Sequence, residues 1–199
     1  MTADLRGYAV GVAEQLEPFE RILETLKKAA GALREAEVPF LLGGGIACWA
    51  RGGPESEHDL DLMLRKPDAD RALEVLGQHG MQIDKPPEGW LYKAFDDGVM
   101  VDLIFEPSGQ PIEDAVFERA EEMNVSAVPM RVMSLEDVLV TKLSALREHE
   151  LDYDSLVEIA RALREQIDWE DVRRRTGESP YAKAFFTLIE ELGIVERPS

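Results

Sequence analysis

The sequence predicts a mixed α/β fold: a mixed sheet flanked by helices, followed by a helical C-terminal part. Three observations carry this. Short apolar runs bounded by glycines alternate with segments of helical periodicity; an Asp-Gly turn joins two apolar runs near the middle; and from Ser134 onward the apolar spacing is helical. A chain of 199 residues with 45% apolar content suits one domain, or one with a small appendage, around a substantial core. The expected division is an α/β domain with an N-terminal helix over residues 1–130 and a helical subdomain over 131–199.

Taken in order, residues 14–36 read as a helix because Leu16, Phe19, Leu23, Leu26, Ala30 and Leu33 recur at helical spacing. Val38 to Leu42 is a short apolar strand ending in Gly43-Gly44-Gly45. A helix through Ile46, Ala47, Trp49 and Ala50 follows, closed by Gly52-Gly53-Pro54. His58 to Leu64 reads as a strand, and Pro67 lies near the start of a helix that Gly80 stops. Leu91–Phe95 and Val99–Phe105 form strands of a hairpin turned at Asp96-Asp97-Gly98, where glycine accepts positive φ. That turn accounts for Asp96 and Asp97, to which no chemistry is assigned. Ser134 with Asp137 resembles a capping box, Tyr153 to Glu165 forms a further helix, and a short one begins at Asp168. Ser179-Pro180 opens the last, with Tyr181, Ala184, Phe185, Leu188, Ile189 and Leu192 on its apolar stripe and Gly193 as its stop.

A formal net charge of −18 repels a phosphate backbone, which argues against DNA binding and against extended RNA. Any phosphate-bearing ligand then needs a local basic or metal-filled pocket. No apolar run is long enough to span a bilayer, and Met1-Thr2-Ala3-Asp4-Leu5-Arg6 lacks the pattern of a secretory signal. Cys48 is the single cysteine, so no intrachain disulfide forms, and a cytoplasmic location is the expectation. No membrane partner is expected, and the oligomeric state stays open.

The chemistry concentrates in the strand after the glycines. Alternate strand residues share a face, so Asp59 and Asp61 point together while Leu60, Leu62 and Leu64 point the other way. Two adjacent carboxylates repel, and hard oxygen ligands suit magnesium as compensation. Asp102, inside the strand 99–105, is the third acid. Two ions bridged by such a trio, about 3.5–4 Å apart, stabilise attacking and leaving oxygens in an in-line displacement. Gly43, Gly44 and Gly45 let a backbone approach phosphate, with the amides of the following helix behind them. Lys142 falls inside the stripe of Leu135, Val138, Leu139, Leu143 and Leu146, so its ammonium must snorkel outward or meet an anion.

Leu42-Gly43-Gly44-Gly45, a spacer of about a dozen residues, Asp59-Leu60-Asp61-Leu62 and a later Val101-Asp102-Leu103-Ile104 resemble the nucleotidyltransferase superfamily of DNA polymerase β type. The closer likeness is to small bacterial members of aminoglycoside, lincosamide and toxin type, over residues 36–105 and more loosely to about 165. The resemblance implies that Gly44 and Gly45 contact nucleotide phosphates and that Asp59, Asp61 and Asp102 bind two Mg2+ ions, with Mn2+ as an alternative. It also implies a basic residue of the C-terminal helices near the triphosphate, a role that Lys142 can fill. The chain departs from the pattern at Gly45, where serine is common, and in having Glu57 and His58 between Ser56 and the paired acids. Ser56 is retained among the nucleotide-binding candidates.

The implied activity is transfer of a nucleoside monophosphate from a nucleoside triphosphate, ATP among them, to an acceptor hydroxyl, with release of pyrophosphate. The charge favours a small molecule or a protein over RNA as acceptor. The rival is a non-catalytic module of the same fold that binds nucleotide or a partner; a toxin is a biological role within the first reading. Arg51 reads as an exposed arginine, Lys93 as an edge-strand lysine and Trp49, Trp90 and Trp169 as packing residues. His58, His79, His149 and Cys48 lack zinc-ligand spacing. Asp152 and Asp154 read as caps of the helix after them.

Overall fold

Leu26, Ala29, Ala30 and Leu33 recur at helical spacing and are buried along one side of α1 (Pro18–Glu35). The computed structural model describes residues 18–55 and 59–196, so Leu16, at the head of the predicted stripe, lies outside them. β1 (Leu41–Leu42), α2 (Gly44–Trp49), β2 (Leu60–Met63) and α3 (Lys66–Gln78) come next, then β3 (Gln82–Asp84), β4 (Leu91–Asp96) and β5 (Val99–Ile104). After them come α4 (Asp114–Arg119), the hairpin of β6 (Glu121–Val125) and β7 (Val128–Val132), and the helices α5 (Leu135–Ala145), α6 (Tyr153–Leu163), α7 (Trp169–Thr176) and α8 (Pro180–Glu191). Among the described residues no helix is long and apolar enough to cross a membrane.

The capping residues sit where the sequence puts them. Ser134, Asp152, Asp168 and Ser179 each accept a backbone amide in the first turn of α5, α6, α7 and α8 respectively. At the β4–β5 turn Asp97 and Gly98 both have positive φ, as a two-residue hairpin turn demands. Asp96 is held from α1, by Lys28 and by Thr25 Oγ1 at 3.3 Å.

One mixed sheet runs in the order β3-β4-β5-β2-β1-β7-β6. Its centre is the parallel pair β2 and β5, in register Leu60 with Val101 and Asp61 with Asp102. β1 pairs antiparallel with β2 and parallel with β7. α1 and α3 pack together over β4 and β5, whereas α2 and α5 pack against each other beside β2. Leu60, Leu62 and Leu64 are fully buried, and with α1, α3 and the C-terminal helices they join a single cluster of buried apolar side chains. β3, α4 and β6–β7 are elements that the sequence reading does not anticipate. β3 is exposed throughout, and the β6–β7 turn is made by Ser126 and Ala127 at positive φ, without the glycine that marks such turns.

A buried ion cluster fastens two C-terminal helices to α4. Asp137, 1% exposed at its side chain, accepts Arg119 Nε at 2.8 Å and Nη2 at 2.7 Å, Ser134 Oγ at 3.0 Å, and an arm of Arg175. It thereby joins α4, α5 and α7. Burial alone would raise this carboxyl, but hydrogen bonds from Arg119 and Arg175 hold it below the usual carboxylate range. A depressed folded pKa contributes stability above the unfolded value of about 3.9 and loses it as pH falls through the folded value.

Replacing Asp137 with alanine is expected to cost about 3 kcal/mol at pH 7, near the low end for a broken buried pair because Arg119 is partly solvated. Urea unfolding measures it, and the gap from wild type should narrow below about pH 4.

Candidate active site

The end of β1 is stitched to β2 by the Gly43 amide, which donates to the carbonyl oxygen of Asp61 at 2.9 Å. Gly44 then takes φ +57°, and a Cβ there would overlap the Asp61 carboxylate. Only glycine lets the backbone lie directly on that carboxyl group. Gly43 adjoins Met63, whose side chain would have to move to admit a Cβ. The helix behind the glycines, α2, has six residues, fewer than two turns.

Asp61 stands between Asp102, its parallel partner on β5, and Asp59, which directly precedes β2. Burial pushes the Asp61 carboxyl up to about 7; the Lys142 ammonium opposes this, while the Asp102 and Asp59 carboxylates add to it and Lys93 opposes it. Lys142, projecting from α5, thus stands over Asp61 as the largest opposing charge. Burial also pushes the Cys48 thiol up to about 11 despite Lys142 and Arg51, leaving it protonated at neutral pH.

Asp102 is 9% exposed and receives Lys93 Nζ on Oδ1 at 3.0 Å. Lys93 is not on an edge strand: β4 lies between β3 and β5. The pair was legible in the hairpin, since counting outward from the Asp97-Gly98 turn sets Lys93 opposite Asp102. Arg51 is likewise not exposed. Its side chain is 6% accessible, lies 3.8 Å from Glu121, and has its pKa lowered by burial.

Two cavities meet at Asp61 and Lys142. The larger, about 760 Å³, is bordered by Gly44, Met63, Trp90, Ile104 and Val138, with Lys66 and Arg147 as further cations. The smaller, about 380 Å³, is bordered by Gly45, Asp59 and Glu55 and by Asp152, Ser155 and Glu158 of the α6 region. Trp90, read from sequence as packing, is 38% exposed and forms part of the larger wall. Trp49 does pack, edge-on against Phe19 at 4.9 Å between ring centroids. Asp152, read from sequence only as a cap, and Glu158, which no motif marks, border the smaller cavity as well. Gly43 borders neither cavity, and Ser56 and His58 lie outside the described residues.

Asp59, Asp61 and Asp102 supply hard carboxylate oxygens, and Asp61, raised chiefly by its burial and further by the Asp102 and Asp59 carboxylates, lies on β2 directly abreast of Asp102 on β5. By that chemistry the trio fits a divalent cation. As the side chains stand, with Asp102 held by Lys93, no three His, Cys, Asp or Glu side chains among the described residues form a group ready to hold one.

A family model described as "Uncharacterised nucleotidyltransferase" matches residues 13–190. No curated protein sequence matches the chain at a significant level. Among solved structures, ANT(2″)-Ia in complex with adenylyl-2″-tobramycin is similar with a TM-score of 0.61 and 16% identity, over 82% of this chain and 98% of that one. The lincomycin-bound lincosamide antibiotic adenylyltransferase LnuA gives 0.50 and 12%, over 75% and 95%. An antigenic nucleotidyltransferase-like protein from Paracoccidioides brasiliensis gives 0.50 and 12%, over 83% and 92%. At these identities the likeness to the three structures is one of fold.

The Asp61 carboxyl of metal-free protein should titrate with a midpoint near 7, seen by carboxyl-carbon NMR as a resonance that Asp61→Asn removes. Here the folded pKa lies above the unfolded one, so ionisation costs stability as pH rises from about 4 towards 7. At pH 8 and without metal, Asp61→Asn should therefore melt a few degrees above wild type.

Proposed function

This chain belongs to the uncharacterised nucleotidyltransferase family, and we propose that it transfers a nucleoside monophosphate from a nucleoside triphosphate to a hydroxyl of a small molecule, releasing pyrophosphate. The observation that carries this reading is the shared wall: Asp61 and Lys142 border both cavities, giving two reactants room on either side of the carboxylates. A volume of about 760 Å³ is of the size that small-molecule sites have. The similar structures in complex with adenylyl-2″-tobramycin and bound to lincomycin support a small molecule as acceptor.

In this reading the acceptor oxygen bonds to the α-phosphorus while the bond to the α–β bridging oxygen breaks. Pyrophosphate leaves, and the hydroxyl proton passes to a carboxylate of the trio, for which Asp102 is the natural candidate. Asp59, Asp61 and Asp102 would hold Mg2+ or Mn2+, which supplies charge neutralisation to the triphosphate. Lys142 binds phosphate oxygens from the opposite wall, and Gly44 and Gly45 let the chain lie close to them. Orientation between α2, α5 and the α6 region brings the reacting atoms together, a contribution that positioning alone makes large. Ser56 is a further phosphate contact in the segment before the paired acids.

Pyrophosphate release, measured with each nucleoside triphosphate and a panel of hydroxylated small molecules, should be lost in Asp59→Asn/Asp61→Asn with the fold retained. Full turnover in that double variant would refute the reading. Separately, Lys142→Ala should weaken nucleotide binding about tenfold by isothermal titration, as expected for one charge-assisted contact.

A further inference from the structure

Among the described residues Lys93 is the cation paired with the third carboxylate, and its position leaves it little choice. The two-residue turn at Asp97-Gly98 sets the β4–β5 register, and a slip of one residue would turn Lys93 to the other face of the sheet. Its ammonium lies 3.0 Å from Asp102 Oδ1 and 3.0 Å from Met100 Sδ. Both partners are largely withdrawn from water, with side chains 26% and 13% exposed, so their attraction is screened far less than on an open surface. Lysine also differs from arginine here. It is a point charge on a flexible stem, able to withdraw from the carboxylate without breaking a two-pronged bond.

We propose that Lys93 is a built-in counter-ion that holds Asp102 out of the metal-binding set, so that a divalent cation is bound first by Asp59 and Asp61 and reaches Asp102 only by displacing the Lys93 ammonium. The inference rests on the reading of these carboxylates as a metal site. Lys142 and Lys93 both act on the Asp61 carboxyl, and a divalent ion entering beside it meets like charge as well as ligands. Lys93 is thus a positioning residue: it acts on the reaction through Asp102. It keeps the empty site from paying the full repulsion of abutting acids, and it weakens metal binding until a loaded nucleotide brings its own negative charge.

The test is binding of Mn2+ alone, followed by electron paramagnetic resonance of the free ion, to the full chain and its variants. Lys93→Met should bind Mn2+ at least about tenfold more tightly than wild type, as removal of a cation within direct contact of a ligand carboxylate requires. Lys93→Arg, which keeps the charge, should bind no more tightly than wild type, and Asp59→Asn/Asp61→Asn should lose the ion. An ion pair serving the sheet alone would change the unfolding midpoint of Lys93→Met and leave its Mn2+ affinity unmoved. That outcome, with binding still abolished by Asp59→Asn/Asp61→Asn, overturns the proposal and leaves the metal-site reading standing. Mn2+ binding by neither wild type nor Lys93→Met overturns both. Should Lys93→Met fail to fold, Lys93→Gln carries the same comparison.

Discussion

The parallel pairing of β2 with β5 is the constraint on which the site depends. It sets Asp61 abreast of Asp102 in the middle of a buried sheet, an arrangement that repulsion and desolvation both oppose. The surroundings answer that opposition from three sides. Lys93 reaches Asp102 from β4, Lys142 stands over Asp61 from α5, and the Gly43 amide fixes the Asp61 backbone. Parallel neighbours need a long crossover, and here the chain runs from β2 to β5 through α3, β3 and β4. The crossover that makes the pairing possible also delivers Lys93.

Division of labour follows from this layout. The sheet and α2 supply the carboxylates and the glycine turn, whereas α5 and the α6 region supply the opposite wall. The apolar residues of the larger cavity, Met63, Ile104 and Val138, come from both parts, so the cavity exists only where the helices close over the sheet. The smaller cavity is dominated by carboxylates, with Lys142 as the one cation on its wall among the described residues. The two cavities therefore differ in chemical character while sharing one charged boundary.

Much of this was legible in the chain. Asp59-Leu60-Asp61-Leu62 announces a two-faced strand, and the structure buries Leu60 and Leu62 with Asp61 on the other side. Ser134, Asp152 and Ser179 each cap a helix with an amide partner, because capping is a local exchange between residues three apart, whereas Asp154, also read as a cap, lies inside the first turn that Asp152 caps. What escaped depends on tertiary contact. Ser126-Ala127 gives no turn signal, and Glu121-Glu122 has no apolar alternation, so β6–β7 is a hairpin only because β1 is there to receive β7. The burial of Arg51 and the place of Trp90 at a cavity wall likewise arise from packing that periodicity cannot express.

The ion cluster at Asp137 has a bearing on Lys142 that its distance conceals. Both residues belong to α5, five positions apart, and each position along a helix turns the side chain by about 100°. By seizing Asp137 from two directions, Arg119 and Arg175 set the rotational phase of the helix about its own axis. A one-residue change of phase would swing the Lys142 ammonium away from Asp61 and bring uncharged Thr141 or Leu143 in its place. The buried cluster is in that sense an indexing pin, and the aim of a cation at the reaction centre is set more than a helical turn away.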